Sequence, residues 1–241
     1  MTNVLIYLNL NFTGNASAQI EYSLHSKRWI MPDFNYTINI QINNGSFSLV
    51  DILVIDTVLL CGNTGYDDSD FSQPKFQTIY EKKFASLYLE SIEDQLEKIA
   101  KTNVPYIIVA GHFPVYSISS HGPTKCLVDN LRPLLHKYSV SAYICGHDHN
   151  LQHLSDTYLG TTVDYIVSGA SNFNDNSTEH EKDVPPESLK FFWGLEEFEL
   201  IHGGLVVVSA TLENLTVTFF ETNGKELYQT LIKPRNNVLL T

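Results

Sequence analysis

No run of residues in this sequence is apolar enough for long enough to cross a bilayer. Near the amino terminus there is only Val4-Leu5-Ile6-Tyr7-Leu8, with no positive charge before it. That is too short for the apolar region of a secretory signal peptide and far short of the ~20 residues of a spanning helix, so neither is expected. Basic residues are also few: 15 Lys and Arg stand against 27 Asp and Glu, a formal net charge of -12, and they form no run or stripe. Nucleic acid is therefore a poor partner. An acidic chain can still hold an anionic substrate where bound cations reverse the local field. Cysteine occurs only at 61, 126 and 145, an odd number that permits at most one internal bridge and leaves a thiol over. Repeats, low-complexity tracts and an obvious linker are absent as well. Residues 1–241 are accordingly read as a single domain.

What is present argues for a packed protein. Hydrophobic residues make up 43% of the chain and aromatic residues 12%, enough to bury a core and to argue against disorder along its length. Asn-x-Ser/Thr sequons occur at Asn11, Asn15, Asn35, Asn44, Asn176 and Asn214, none with proline in the middle. Such a number points to a secretory or lysosomal route. Set against the lack of a signal peptide, it leads to the expectation that the natural amino terminus lies further upstream.

Hydrophobic patterning gives the element order. Val4–Leu8 reads as a short buried strand. Ser48–Val58 is almost continuously aliphatic, as in a strand covered on both faces, and 62–78, rich in Gly, Asp, Ser and Pro, reads as an exposed loop. From Tyr80 to Ala100 the positions Phe84, Leu87, Leu89, Ile92, Leu96 and Ile99 recur at helical spacing, opposite Glu90, Glu93, Asp94, Glu97 and Lys98. Strand Tyr106–Ala110, helix Leu127–Tyr138 (with Pro133 inside it) and strand Ala142–Cys145 follow. This alternation predicts an α/β layer architecture. The tail differs: Tyr165–Val167, Leu189–Trp193, Gly204–Ala210, Thr216–Glu221 and Glu226–Leu231 read as strands of a meander or half-sandwich packed on the α/β part.

Two places share one pattern of aliphatic strand, glycine, histidine. They are Ile107-Ile108-Val109-Ala110-Gly111-His112-Phe113-Pro114-Val115 and Ala142-Tyr143-Ile144-Cys145-Gly146-His147-Asp148-His149-Asn150. Ligands of open α/β sheets gather at the carboxyl ends of strands. Glycine at such an end permits a sharp turn, and a His-x-His pair beyond it can offer two nitrogens to one metal or to two neighbouring ones. A lone loop histidine has a blander explanation, which the joint occurrence of the two patterns argues against.

Gly-His-Phe-Pro-Val and Gly-His-Asp-His-Asn are similar to the last two signature blocks of the metallophosphoesterases. His121-Gly122-Pro123-Thr124-Lys125-Cys126-Leu127 with Leu131-Arg132-Pro133-Leu134-Leu135 resembles the tartrate-resistant, or purple, acid phosphatases. So do Gly14-Asn15-Ala16-Ser17-Ala18-Gln19-Ile20, Leu60-Cys61-Gly62-Asn63 and Ser168-Gly169-Ala170-Ser171-Asn172-Phe173. The resemblance runs from about residue 13 to the end. It implies a four-layer α/β/β/α sandwich that here lacks its amino-terminal strands, and hydrolysis of phosphomonoesters or phosphoproteins at a centre of Fe(III) and a divalent Fe, Zn or Mn. It also implies that His112 and His147 ligate the divalent metal, His149 the iron, and that His121 contacts the substrate phosphate and assists proton transfer. Cys61 and Cys126 fall on the family's disulfide, leaving Cys145 as a small core residue, and 62–77 on the segment that covers the site and is trimmed by proteases. Asp148 is expected to support the turn rather than ligate. His136, His153, His180 and His202 are expected to be structural or at the surface.

The departures concern the anionic ligands. The family's amino-terminal aspartate, its bridging aspartate and its tyrosine are expected before residue 1, so the chain is not expected to be purple. In the Gly-Asn-His-Asp block, Asn9 falls on the asparagine, but Leu8, Leu10 and Asn11 replace the other three. Asn9 is thus a candidate metal ligand and the block's histidine is absent. Two close cations repel each other unless an anion lies between them. One weakly held metal at His112, His147 and His149 is therefore expected. Two alternatives to a phosphatase remain open: a catalytically inactive secreted glycoprotein fragment, and a protein with a mononuclear open zinc site.

Overall fold

In the computed structural model the described residues are 16–42, 45, 47–62, 79–171, 174–194 and 203–235. The expected strand at Val4–Leu8, the loop at 63–78, Asn9 and His202 lie outside them. The elements, in chain order, are α1 (Ala16–Ser23), β1 (Tyr36–Ile42), β2 (Phe47–Val54), α2 (Thr57–Cys61), α3 (Ile79–Ala100), β3 (Tyr106–Ala110), α4 (Lys125–Lys137), β4 (Ala142–Cys145), β5 (Leu151–Tyr158), β6 (Thr161–Ser168), β7 (Leu189–Trp193), β8 (Gly204–Ala210), β9 (Leu215–Glu221) and β10 (Glu226–Ile232).

Seven strands form one sheet in the order β1-β2-β3-β4-β6-β5-β7, and β10-β9-β8 form a second. The inner strands β2, β3, β4 and β6 are parallel, with Val54 beside Ala110, Ala110 beside Ile144, and Cys145 beside Val167. Their carboxyl ends therefore lie along one edge. Strand periodicity of two divides the side chains between two cores. Leu53, Ile107, Val109, Tyr143, Cys145, Tyr165 and Val167 meet α3 and α4. Val50, Ile52, Val54, Ile108, Ala110, Ala142 and Ile166 meet Leu215, Val217 and Phe219 of the second sheet. Burial on both faces is why β3 reads as an aliphatic run and β2 as one interrupted mainly by Asp51, which is buried with hydrogen bonds from Asn39 and Ser48. The described residues thus supply helix, sheet and sheet layers of the expected sandwich.

The differences from the sequence reading have local causes. The run Ser48–Val58 does not stay extended: β2 ends at Val54, and the Asp56 carboxylate accepts hydrogen bonds from the Val58 and Leu59 amides, capping α2. On α3 the buried stripe is Ala85, Tyr88, Ile92, Leu96 and Ile99, whereas Phe84 and Leu87 are exposed. Tyr88 earns its place through its hydroxyl, which accepts from the Asp56 amide at 2.8 Å and donates to the Phe34 carbonyl at 2.9 Å. Strand β5 and helix α1 carry too little apolar periodicity to be seen in the sequence, whereas β1 alternates Tyr36, Ile38, Ile40 and Ile42 with Thr37, Asn39 and Gln41, a period-two signal that the sequence reading passed over. In β5 the sequence Leu-Gln-His-Leu-Ser-Asp-Thr-Tyr buries Gln152, His153 and Asp156 through hydrogen bonds rather than apolar contact.

One such cluster fastens α4 to the sheet. Arg132 meets Asp156 at 2.7 Å and its guanidinium lies 4.4 Å from the Tyr158 ring centroid. His136, on the next turn, places Nδ1 3.0 Å from the Thr161 carbonyl and Nε2 3.1 Å from the Tyr165 hydroxyl. Burial, aided by the Arg132 charge, pushes the His136 imidazole below its ordinary range despite the opposing Thr161 and Asp156 contacts. His153, also buried, bridges the sheets between Asp164 at 2.8 Å and Tyr228 at 3.1 Å. Both histidines are structural, as expected.

Cys61 at the end of α2 and Cys126 in α4 form a disulfide, and Cys145 is a buried free thiol. A bridge closing 65 residues is worth about 4 kcal/mol on the chain-entropy account. Thiol titration of the denatured, unreduced chain should find one reactive group, rising to three after reduction; three before reduction would contradict the pairing. The depressed His136 imidazole also makes a signed prediction. The unfolded chain takes up this proton below about pH 6.5 and the folded chain resists it. The contribution to stability is therefore present above that pH and lost as pH falls toward the folded pKa. Urea midpoints should drop between pH 7.5 and pH 5, and by less in His136→Gln; equal drops would contradict the assignment.

Candidate metal and phosphate site

The parallel edge gathers the segments that follow β2, β3, β4 and β6. After β3 the chain passes through Gly111, where a Cβ would lie 2.5 Å from the Tyr143 hydroxyl and 2.7 Å from Thr57 Cγ2. Only glycine fits that approach. Thr57 Oγ1 then accepts from the Phe113 amide at 3.2 Å, and the Tyr143 hydroxyl donates to the Phe113 carbonyl at 2.7 Å. These bonds fix His112 in place. After β4 the sharp turn is made by His147 itself, at φ 70°, and not by Gly146, which was expected to make it. A histidine in the left-handed region costs about 1–2 kcal/mol, so its surroundings must hold it there. Part of that hold comes from β6: a Cβ on Gly169 would fall 1.8 Å from the Asp148 carbonyl oxygen. The end of β6 thus presses directly on the Gly-His-Asp-His-Asn turn.

The histidines converge. His147 Nδ1 lies 3.2 Å from His112 Nε2. The His147 ring stands 4.3 Å, centroid to centroid, from His121 and 4.8 Å from Phe113. Burial pushes the His147 imidazole down to about 2, reinforced by the nearby His121, His112 and His149. His149 is lowered as well, by burial first and then by His121, while Asp175 acts in the opposite sense. His147 and His149 are therefore held toward the neutral form, which keeps their nitrogen lone pairs available for a cation.

Two imidazole nitrogens bound at 2.0–2.1 Å to one tetrahedral ion stand about 3.3 Å apart, close to the 3.2 Å between His112 and His147. That pair fits a metal. Among the described residues, however, no group of three or more His, Cys, Asp or Glu side chains has the spacing of a metal site. His149 adjoins the pair electrostatically, and Asn9 lies outside the described residues.

His121 reaches the cluster on a loop tied down by polar contacts. Its amide donates to Asp148 Oδ1 at 3.1 Å, and the buried Asp148 carboxyl is raised above its usual range by desolvation. The Asp148 side chain is therefore turned toward the loop that carries His121. Gln152 accepts from the Ile118 amide at 3.0 Å, and its amide nitrogen donates to Ser117 Oγ and Asn150 Oδ1, both at 2.8 Å. The far side of the loop is covered by Asp175, which the sequence reading passed over, and by His180, expected there to be structural or at the surface. Asp175 Oδ2 accepts from Ser119 Oγ at 2.9 Å and from Ser120 Oγ at 2.5 Å. The His180 amide donates to the Ile118 carbonyl at 3.0 Å. The His180 ring packs on Gly122, where a Cβ would lie 2.8 Å away. The Asn-Asp-Asn-Ser run around Asp175 carries no signal that separates a loop hub from an ordinary turn.

Against known proteins, residues 17–151 match the family model described as calcineurin-like phosphoesterase, a stretch that holds His112, His121, His147 and His149. Human tartrate-resistant acid phosphatase type 5 is 43% identical over 227 residues, covering 94% of this chain and 66% of that protein. Purple acid phosphatase 4 of Arabidopsis thaliana is 28% identical, covering 93% of this chain and 60% of that protein. The chain thus spans just under two thirds of the length of these relatives. Among solved structures, "GAP50 the anchor in the inner membrane complex of Plasmodium" superposes with a TM-score of 0.67 at 21% identity, covering 94% of this chain and 64% of that one. A purple acid phosphatase from yellow lupin superposes with a TM-score of 0.54 at 14% identity, covering 86% and 34%. These two likenesses concern the fold. The sheet, the strand-glycine-histidine turns and the sequence match together place the chain in the calcineurin-like phosphoesterase family, on the side of the tartrate-resistant and purple acid phosphatases.

Proposed function

We propose that the protein acts as an acid-phosphatase-like hydrolase of phosphomonoesters, phosphoproteins among them. The observation that supports this most is the meeting of His112 and His147, 3.2 Å apart, with the His121 ring 4.3 Å from that of His147, at the edge where the parallel strands end. His112, His147 and His149 would hold metal, Fe(III) and a divalent Fe, Zn or Mn by family resemblance, with Asn9 as a further candidate. Bound metal supplies Lewis-acid polarisation of the phosphoryl group.

The chain's own contribution is positioning and proton handling. His121 stands beside the pair on a loop whose backbone is fixed by Asp148 and Gln152. From there its imidazole can donate a hydrogen bond to a phosphoryl oxygen, or a proton to the departing alkoxide. Phe113 and the buried wall of β3 and β4 limit water around His147, which strengthens each of these contacts. A secreted or lysosomal setting is supported by the disulfide and by the sequons. Of those within the described residues, Asn176 is exposed, whereas Asn35 bonds to Ser91 and Asn214 to Lys233. No helix among the described residues is long and apolar enough to cross a membrane.

Two measurements on one sample test the reading. The purified chain loaded with metal should hydrolyse p-nitrophenyl phosphate near pH 5; a metal-loaded chain without turnover would contradict phosphatase activity. The double variant His147→Ala/His149→Ala should lose metal uptake in equilibrium dialysis, and undiminished uptake would remove these residues from the site. A wild-type stoichiometry of one metal per chain, without turnover, would instead favour the mononuclear alternative.

A further inference from the structure

Asp175 has no part in the expected chemistry, yet it receives more hydrogen bonds than its turn requires. Oδ2 accepts from the hydroxyls of Ser119 and Ser120, at 2.9 and 2.5 Å. Oδ1 accepts from the Ser177 amide at 2.9 Å. Its own amide donates to the His149 carbonyl at 2.8 Å, and its carbonyl accepts from Asn150 Nδ2 at 3.2 Å. Asn150 Nδ2 also lies 2.8 Å from Ser119 Oγ, which closes a ring of bonds. The side chain therefore grips the residues immediately before His121, while the backbone grips the turn that carries His147 and His149. Burial acts to raise the Asp175 carboxyl, but the bonds from Ser120, the Ser177 amide and Ser119 outweigh it and hold it below the usual carboxylate range. The carboxylate is thus present as an anion, the stronger form of acceptor.

We propose that Asp175 is a positioning residue: by tying the Ser119–His121 segment to the His147–His149 turn, it sets where the His121 imidazole stands relative to the paired histidines. This rests on the reading of His121 as the substrate-side group. Asp148 holds the His121 amide from one side and Asp175 holds the two preceding residues from the other. Without Asp175 the Ser119–Ser120 stretch loses both of its side-chain bonds to that carboxylate, and although Asp148, Gln152, Asn150 and His180 keep their own holds on the loop, the segment next to His121 gains freedom to shift. A displacement of about 1 Å in a catalytic group is enough to cost on the order of 100-fold in rate.

The test is a double-mutant cycle with conservative controls. Asp175→Ala should lower kcat/KM by about 10- to 100-fold, mainly in kcat, while Asp175→Asn stays within about threefold of wild type. Asparagine keeps an acceptor for the Ser177 amide, and its amide nitrogen can still bond the serine hydroxyls. In a His121→Ala background, Asp175→Ala should cause little further loss, because its effect acts through His121. A full additional loss there would overturn the proposal, as would equal damage from alanine and asparagine. If Asp175→Ala does not fold, Ser119→Ala/Ser120→Ala removes the same two side-chain bonds and takes its place. A second readout needs no turnover: in metal-free protein, the His121 ring cross-peaks in long-range 1H–15N spectra should move in Asp175→Ala and stay in Asp175→Asn. Unmoved cross-peaks in Asp175→Ala would overturn the positioning role even if wild type proved inactive, an outcome that bears on the phosphatase reading alone.

Discussion

His147 Nδ1 and His112 Nε2 approach to 3.2 Å inside a pocket that other imidazoles also face, and much of the structure serves to keep them there. Such an approach is tolerable only while the rings stay neutral, since protons on both would bring two positive charges together in a poorly solvated place. Burial provides that condition, holding His147 down to about 2. The same burial prepares the nitrogens for a cation. The parallel strands β3 and β4 bring the two histidines to neighbouring positions. Gly111 lets the first strand end approach Tyr143 and Thr57, and the left-handed backbone of His147 directs the second ring back toward the first.

Around this pair the supporting contacts are polar rather than apolar. Buried side chains at Asp148, Asn150, Gln152 and Ser119 are joined by hydrogen bonds across the loop that carries His121. A buried network of this kind is stable only when its members are paired, and it then specifies one arrangement. An apolar contact could hold the loop but would fix its register less sharply. The His112–His147 pair and His121 thus come from separate segments whose relative placement depends on hydrogen-bond geometry.

How much of this was legible in the sequence depended on the kind of signal. Strands β3 and β4, buried on both faces, read directly as aliphatic runs, and their trailing Gly-His pairs marked the site's edge. The disulfide between Cys61 and Cys126 followed from the family resemblance. Strand β5 escaped notice because Gln152, His153 and Asp156 are buried by bonding partners as far as 75 residues away in sequence. The α3 stripe was displaced because Tyr88 is fixed by its hydroxyl, which no periodicity of apolar residues records. Asp175 was invisible for a related reason: an aspartate in an Asn- and Ser-rich turn looks the same whether it faces water or two serine hydroxyls. Patterning thus reveals where chain is buried by apolar contact, and misses burial that depends on a distant partner.

The imidazole pair is proposed as a place for a metal ion. Its most direct test is anomalous diffraction from crystals soaked in a zinc salt, with data on both sides of the zinc edge. A peak at 2.0–2.1 Å from both His112 Nε2 and His147 Nδ1 is the result predicted. Zinc bound elsewhere on the chain, with the two rings still 3.2 Å apart and no peak between them, would contradict it and leave the close approach as an imidazole–imidazole hydrogen bond.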